Sequence, residues 1–198
     1  MTTSIIWSIA AMTYAVFWCW YVGFRQKITP LEVEETLQLL DVHDFGTGEQ
    51  RDSLRHFLAN DDGRDFVMVN LLHLKAPLRD SRKKLEAYQK IFLGALLRKA
   101  GHPVMMARAA AGNLENVACD HADGWTAAGM VRYRSRRDFM EMLPATVGSQ
   151  HHGLKLEARE KTFAFPASPW FMSGGPRLVV ALSIALIAAI IQLAAGAW

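Results

Sequence analysis

Both ends of this 198-residue sequence are empty of charge. No Asp, Glu, Lys, Arg or His occurs from Met1 to Phe24, and none from Leu178 to Trp198. All 22 basic and 19 acidic residues fall between Arg25 and Arg177, so an ordinary average composition conceals two lipid-like ends and a water-compatible middle. Ion and proton pathways need ionisable groups at membrane depth, and neither end supplies one, which excludes a transporter core. Cysteine is nearly absent too. Cys19 and Cys119 form no CxxC and no ligand spacing, which excludes a disulfide framework and reads as two reduced thiols, in keeping with a cytoplasmic domain. No GxGxxG, P-loop, GxSxG or DFG-like pattern occurs, against nucleotide chemistry and triad hydrolysis. The net charge of +3 is small and mixed in sign, so no nucleic-acid partner is expected. No HxxxH or HxH occurs, and the adjacent pair His151 and His152 would point about 100° apart on a helix, a poor chelate. Neither a metal nor a cofactor is expected.

The two ends themselves carry a clear signal. Ser4 to Phe24 and Leu178 to Trp198 are each 21 residues, and at about 1.5 Å per residue each matches the roughly 30 Å of a hydrocarbon core. Trp7 near one end of the first stretch, and Trp18, Trp20 and Tyr21 near the other, suit the two interfaces. A cleaved signal peptide is the rival reading, but no basic residue precedes Trp7 and Arg25 follows the apolar run. Residues 4–24 and 178–198 are therefore expected to be transmembrane helices. Arg25, Lys27 and Arg177 lie on their inner flanks. Positive flanks resist translocation, which predicts a cytoplasmic middle domain, antiparallel spans and both termini across a bacterial inner membrane. Ala181, Ala185 and Ala189 would line one stripe of the second span, as would Ala11 and Ala15 of the first. Such stripes either let helices pack closely in lipid or reflect how common alanine is in spans.

Between the spans, Thr29-Pro30-Leu31-Glu32 reads as a capping box with proline in the first turn. Residues 29–60 are expected as a helical, membrane-proximal linker, its second helix running from about Gly48 to Asn60. Phe66 to Leu74 is apolar on both alternating faces, the pattern of a strand covered on both sides. A helix follows from about Ser81 to Ala100, with Leu85, Tyr88, Phe92 and Leu96 at helical spacing and Gly101 at its end. Strands are expected at 104–111, 125–133 and 161–165. Short helices are expected after Ser135 and across 149–160. The order is strand-helix-strand twice, which predicts an α+β, ferredoxin-like βαβ-βαβ domain over residues 64–167. Its helices would cover one sheet face, and a second copy set sheet to sheet is the usual cover for the other.

Phe66-Val-Met-Val-Asn-Leu-Leu72, the helix bearing Tyr88, the Lys99-Ala-Gly-His102 turn and Val131-Arg-Tyr-Arg-Ser-Arg136 resemble a largely uncharacterised bacterial family of small dimeric α/β-barrel proteins with an "MVNLL" strand and a "YPSR" turn. The likeness runs from about Leu54 to Ala167. It implies a ferredoxin-like fold that dimerises through its sheets and holds a pocket between sheet and helices. Arg134 stands where the family has proline, and His151-His152-Gly153 stands where an arginine usually follows the histidine, which puts any family ligand site there in doubt. Related barrels hold haem or perform cofactor-free oxygenation with a histidine as ligand or base. His102, His121 and His152 are candidates for that role by residue type only.

Among single residues, Asn70 interrupts an apolar strand and either lines a pocket or ties the strand to a neighbour. His73 on the opposite face is a base or a strand-end residue facing water. Arg132, Arg134, Arg136 and Arg137 crowd a helix start. They suit a phosphate, a carboxylate or an anionic lipid head group, or simply form a solvated edge. These features predict a non-catalytic, membrane-anchored accessory or assembly subunit, docked to the bilayer, to other membrane subunits or to a second copy. The alternative is a small membrane-bound oxygenase- or isomerase-like enzyme acting on an apolar substrate. Its pocket would be drawn from Asn70, Tyr88, Tyr133 and His152.

Overall fold

The computed structural model describes residues 3–24, 26–42, 46–115, 117, 124–147 and 150–196; the side chains of 145 and 150–152 are outside that description. In chain order the elements are α1 (Thr3–Val22), α2 (Pro30–Asp41), α3 (Gly48–Ala59), β1 (Phe66–Leu74), α4 (Leu78–Arg98), β2 (His102–Arg108), β3 (Ala127–Tyr133), α5 (Arg136–Val147), α6 (Gln150–Glu157), β4 (Arg159–Ala167) and α7 (Pro176–Gly196). They form two compact units, residues 25–168 and the paired ends 1–24 and 169–198.

In the paired ends, α1 and α7 are each long and apolar enough to cross a membrane. They pack on one another and run antiparallel. The indole of Trp7, near the start of α1, donates to the amide oxygen of Gln192, near the end of α7, at 2.7 Å. At the opposite end the Tyr14 hydroxyl donates to the Arg177 carbonyl at 3.2 Å, and the Arg177 guanidinium lies over the rings of Trp18 and Tyr21. Ile6, Ala10, Tyr14, Phe17 and Tyr21, spaced three or four apart, are the covered face of α1, whereas Ala11 and Ala15 are exposed. On α7, Ala188 is buried and Ala181, Ala185 and Ala189 are half-buried.

Residues 25–168 are built on an open four-stranded sheet in the order β2-β3-β1-β4. Every neighbouring pair is antiparallel. In this register Asn70 sits opposite Gly129 and Ala164, and Val69 opposite Met130 and Phe165. Because side chains alternate along a strand, that pairing sorts the sheet into two faces. Phe66, Met68, Val131 and Tyr133 point to the helices and meet Leu96 and Met142 in the core. The rings of Phe66 and Tyr133 stack at 5.1 Å. Phe139 stands edge-on to both. Val69, Leu71, Met130, Phe163 and Phe165 belong to the other face; Phe163 is 56% exposed and Phe165 43%. The pattern of β1 predicted cover on both sides, and the helices supply it on one.

Residues 29–60, expected as a linker, belong to this unit. The Thr29 capping box forms as predicted. Val33 and Leu37 of α2 and Leu58 of α3 are buried against Met140 of α5, with Ile28 completing the cluster. Burial of each such side chain stabilises the fold by about 1.5–3 kcal/mol. The Asp61 carboxylate accepts from the Ile28 backbone N–H at 3.0 Å, fixing where the chain enters α2.

The end of α4 departs from expectation. The left-handed residue is Ala100, with φ of 54°, and not Gly101. Gly101 answers a different need: a Cβ there would fall 2.4 Å from Leu96 Cδ1 and 2.8 Å from the Arg132 carbonyl oxygen. The turn presses α4 against β3 so closely that only a hydrogen fits.

A cavity between the sheet and the helices

Between the helix-covered face and α4, α5 and α6 lies a cavity of about 220 Å³. Met68, Asn70 and Leu72 of β1 reach it because alternate strand residues share a face, and Gly129, Val131 and Tyr133 of β3 do so for the same reason. Opposite them stand Tyr88 and Phe92, one helical turn apart on α4, and Leu143 and Val147, one turn apart on α5. Gly129 keeps room at the sheet, since a Cβ there would come within 3.2 Å of Met106 Sδ. The lining is mostly apolar.

Three of the four residues expected in a pocket line this cavity: Asn70, Tyr88 and Tyr133. The side chain of His152 lies outside the described residues, as do His121 and Cys119. Asn70 Nδ2 donates to the Met68 carbonyl at 3.1 Å and to that of Gly129 at 3.4 Å, so it both borders the cavity and ties β1 to β3. Burial pushes the Tyr88 hydroxyl up to about 12. It raises that of Tyr133 further, with Tyr88 adding to the rise. Both phenols stay protonated at neutral pH.

The charged group that sequence reading missed in this lining is Lys155, from α6. Its ammonium nitrogen stands 5.3 Å from the centroid of the Tyr88 ring. Burial, reinforced by the Arg159 charge, lowers its pKa to about 8. Arg159 also donates from Nε to the Lys155 carbonyl at 2.8 Å. Among the described residues no carboxylate pairs with Lys155. Nearby lysines differ: Lys84 meets Glu157 at 2.7 Å, and Lys99 meets Glu141 and Asp138. Eight residues of α6 are too few for periodicity to show which way Lys155 points.

The arginine cluster is engaged inside the fold. Arg132 donates to Asp65 at 2.8 Å and to the Ala100 carbonyl at 2.9 Å, pinning the turn after α4. Arg134 grips Asp138 with two bonds of 2.7 and 3.0 Å. Ser135 caps α5 by accepting from the Asp138 backbone N–H. Arg136 donates to the Phe57 carbonyl at 2.6 Å and lies over that residue's ring. Arg137 clasps Glu32 and the Gln26 and Lys27 carbonyls. The hydrogen bonds of Arg137, aided by those of Thr29, hold the Glu32 carboxyl down at about 2. His73 Nδ1 lies 2.5 Å from the Gly124 carbonyl and its Nε2 3.6 Å from Glu160. His102 Nδ1 lies 2.9 Å from the Pro103 carbonyl. Among the described residues no group of three potential metal ligands comes together.

An α+β domain with a cavity between an antiparallel sheet and its helices is therefore the class of protein defined here. No family model and no curated protein matches the chain. Among solved structures it is similar to a protein of unknown function from Rhodopseudomonas palustris, at 21% identity and a TM-score of 0.50, over 64% of this chain and 96% of that one. The methylated form of that protein gives the same identity and TM-score over 66% and 96%. At that identity the likeness concerns the fold alone.

Proposed function

We propose that this chain is a non-catalytic, membrane-anchored accessory or assembly subunit. Its α1 and α7 span the bacterial inner membrane with both termini outside, and its ferredoxin-like domain stands in the cytoplasm. That domain docks through the uncovered sheet face to a second copy or to another subunit of a membrane complex. The observation that carries the reading is that face. Val69, Leu71, Met130, Phe163 and Phe165 form one apolar patch in a domain whose other face is closed by helices. Patches of that kind mark interaction surfaces. Strand order β2-β3-β1-β4 with a helix between β1 and β2 and two more between β3 and β4 supports the ferredoxin-like topology. Trp170 and Phe171, exposed ahead of α7, suit a membrane interface.

The test is the double substitution Phe163→Lys with Phe165→Lys in the full chain, purified in mild detergent. Wild type is expected to run as an assembly larger than one chain, and the variant as a single chain with an unchanged unfolding midpoint. A wild type that is monomeric and brings no partner overturns the docking reading. The cavity favours the alternative of an enzyme acting on an apolar substrate. A stoichiometric apolar molecule extracted from the protein and chemically altered on incubation would establish it.

A further inference from the structure

We propose that the cavity between the sheet and α4, α5 and α6 binds a small monocarboxylate with an apolar body, with Lys155 as its counter-ion. The inference rests on the cavity and is independent of docking through the opposite face. Lys155 is half-buried, and an ammonium group drawn against apolar surroundings is stabilised by an anion beside it. Lys155 has the Tyr88 ring for company, and among the described residues no carboxylate. Arg159, whose charge is felt at Lys155, deepens the positive potential. Among the described residues no Asp or Glu lines the cavity. The missing anion is thus a ligand's.

The rest of the lining says what kind of anion. Met68, Leu72, Val131, Leu143 and Val147 offer an apolar bed, and four aromatic rings, of Tyr88, Phe92, Tyr133 and Phe139, border the same space. A single ammonium among them suits one negative charge; a phosphate dianion calls for several cations or donors. The protonated hydroxyls of Tyr88 and Tyr133 are donors suited to a carboxylate. Size sets the body. An apolar cavity of about 150 Å³ accommodates benzene, so 220 Å³ admits about nine non-hydrogen atoms by proportion. That is an arylcarboxylate of benzoate size or a short fatty acid.

The experiment is a fluorine NMR titration of the full chain in phosphatidylcholine nanodiscs. The probes are 4-fluorobenzoate and the matched neutral 4-fluorobenzyl alcohol. Wild type is expected to bind the acid saturably and at least tenfold more tightly than the alcohol. Lys155→Met is expected to erase that preference while keeping the alcohol's affinity. In wild type, the acid is also expected to shield Lys155 from reductive methylation, read by peptide mass spectrometry, while leaving Lys161 unprotected. This second readout decides the matter if the variant fails to fold. Equal affinity for acid and alcohol, an unchanged preference in Lys155→Met, no saturable binding, or no protection of Lys155 each overturns the assignment.

Discussion

Two positive charges of the 25–168 unit, at Arg134 and at Lys155, are handled in opposite ways. At the turn from β3 into α5, Arg134 is 8% exposed and the Asp138 beneath it 1%, yet each charge has a partner. At the cavity, Lys155 faces an aromatic ring and no described carboxylate. The first arrangement is complete and serves the fold. The second is a charge that meets no carboxylate among the described residues, and so the place where a ligand's anion would stabilise most.

Breaking the first site should produce the largest effect. Asp138→Ala removes the carboxylate that Arg134 grips with two bonds in a buried place and is expected to destabilise the unit by about 3–5 kcal/mol, measured by chemical denaturation. Next is the turn that Arg132 pins. Gly101→Ala sets a methyl against Leu96 and the Arg132 carbonyl and is expected to destabilise by about 1–3 kcal/mol on the same assay.

Lys155→Met should act with the opposite sign. Replacing a cation that meets no described carboxylate by an apolar side chain of similar length is expected to stabilise by about 1 kcal/mol near neutral pH. The pH dependence sharpens this contrast. Because the folded pKa is lowered from 10.5 to about 8, the unfolded chain holds the extra proton between those values. Wild-type stability should therefore rise as pH increases through that window, and the rise should vanish in Lys155→Met. The smallest expected effect is at Glu32, whose carboxyl is lowered from 4.5 to about 2. The stability it contributes is full above pH 4.5 and is lost as pH falls toward 2. Glu32→Gln should flatten that acid limb of the unfolding profile and leave the alkaline limb unchanged.

Local chemistry was legible in the sequence wherever it was self-contained. β1 was expected over Phe66–Leu74 and has those limits. The capping box at Thr29 needs only Thr29, Pro30 and Glu32, and it forms. The start of α4 was placed three residues late. Strands β2 and β4 were misplaced by two or three residues at their ends. Features that depend on distant partners were illegible. Residues 29–60 look like a linker until Met140, some eighty positions beyond Leu58, is seen to pack on them. Four arginines in six positions invite an external anion, but Asp65, Asp62 and Glu32, which meet Arg132, Arg136 and Arg137, lie 67 to 105 residues earlier in the chain, and Arg134 alone has its partner, Asp138, nearby. Asn70, Tyr88 and Tyr133 could be picked out as pocket residues from their setting in strand and helix patterns. Lys155 could not, because lysine on a short helix is ordinarily a surface residue, and only the sheet opposite makes it otherwise.

The antiparallel pairing of α1 with α7 has a thermodynamic consequence for everything between them. With Trp7 joined to Gln192 and Tyr14 to Arg177, the segment from Phe24 to Pro169 begins and ends at a shared clasp. Unfolding that segment while the clasp holds yields a closed ring of chain and not a free-ended coil. A ring has fewer conformations to gain, so its melting is entropically discouraged. Opening the clasp, by loss of either terminal helix, would loosen the melted state of a domain that the lost helix need never touch.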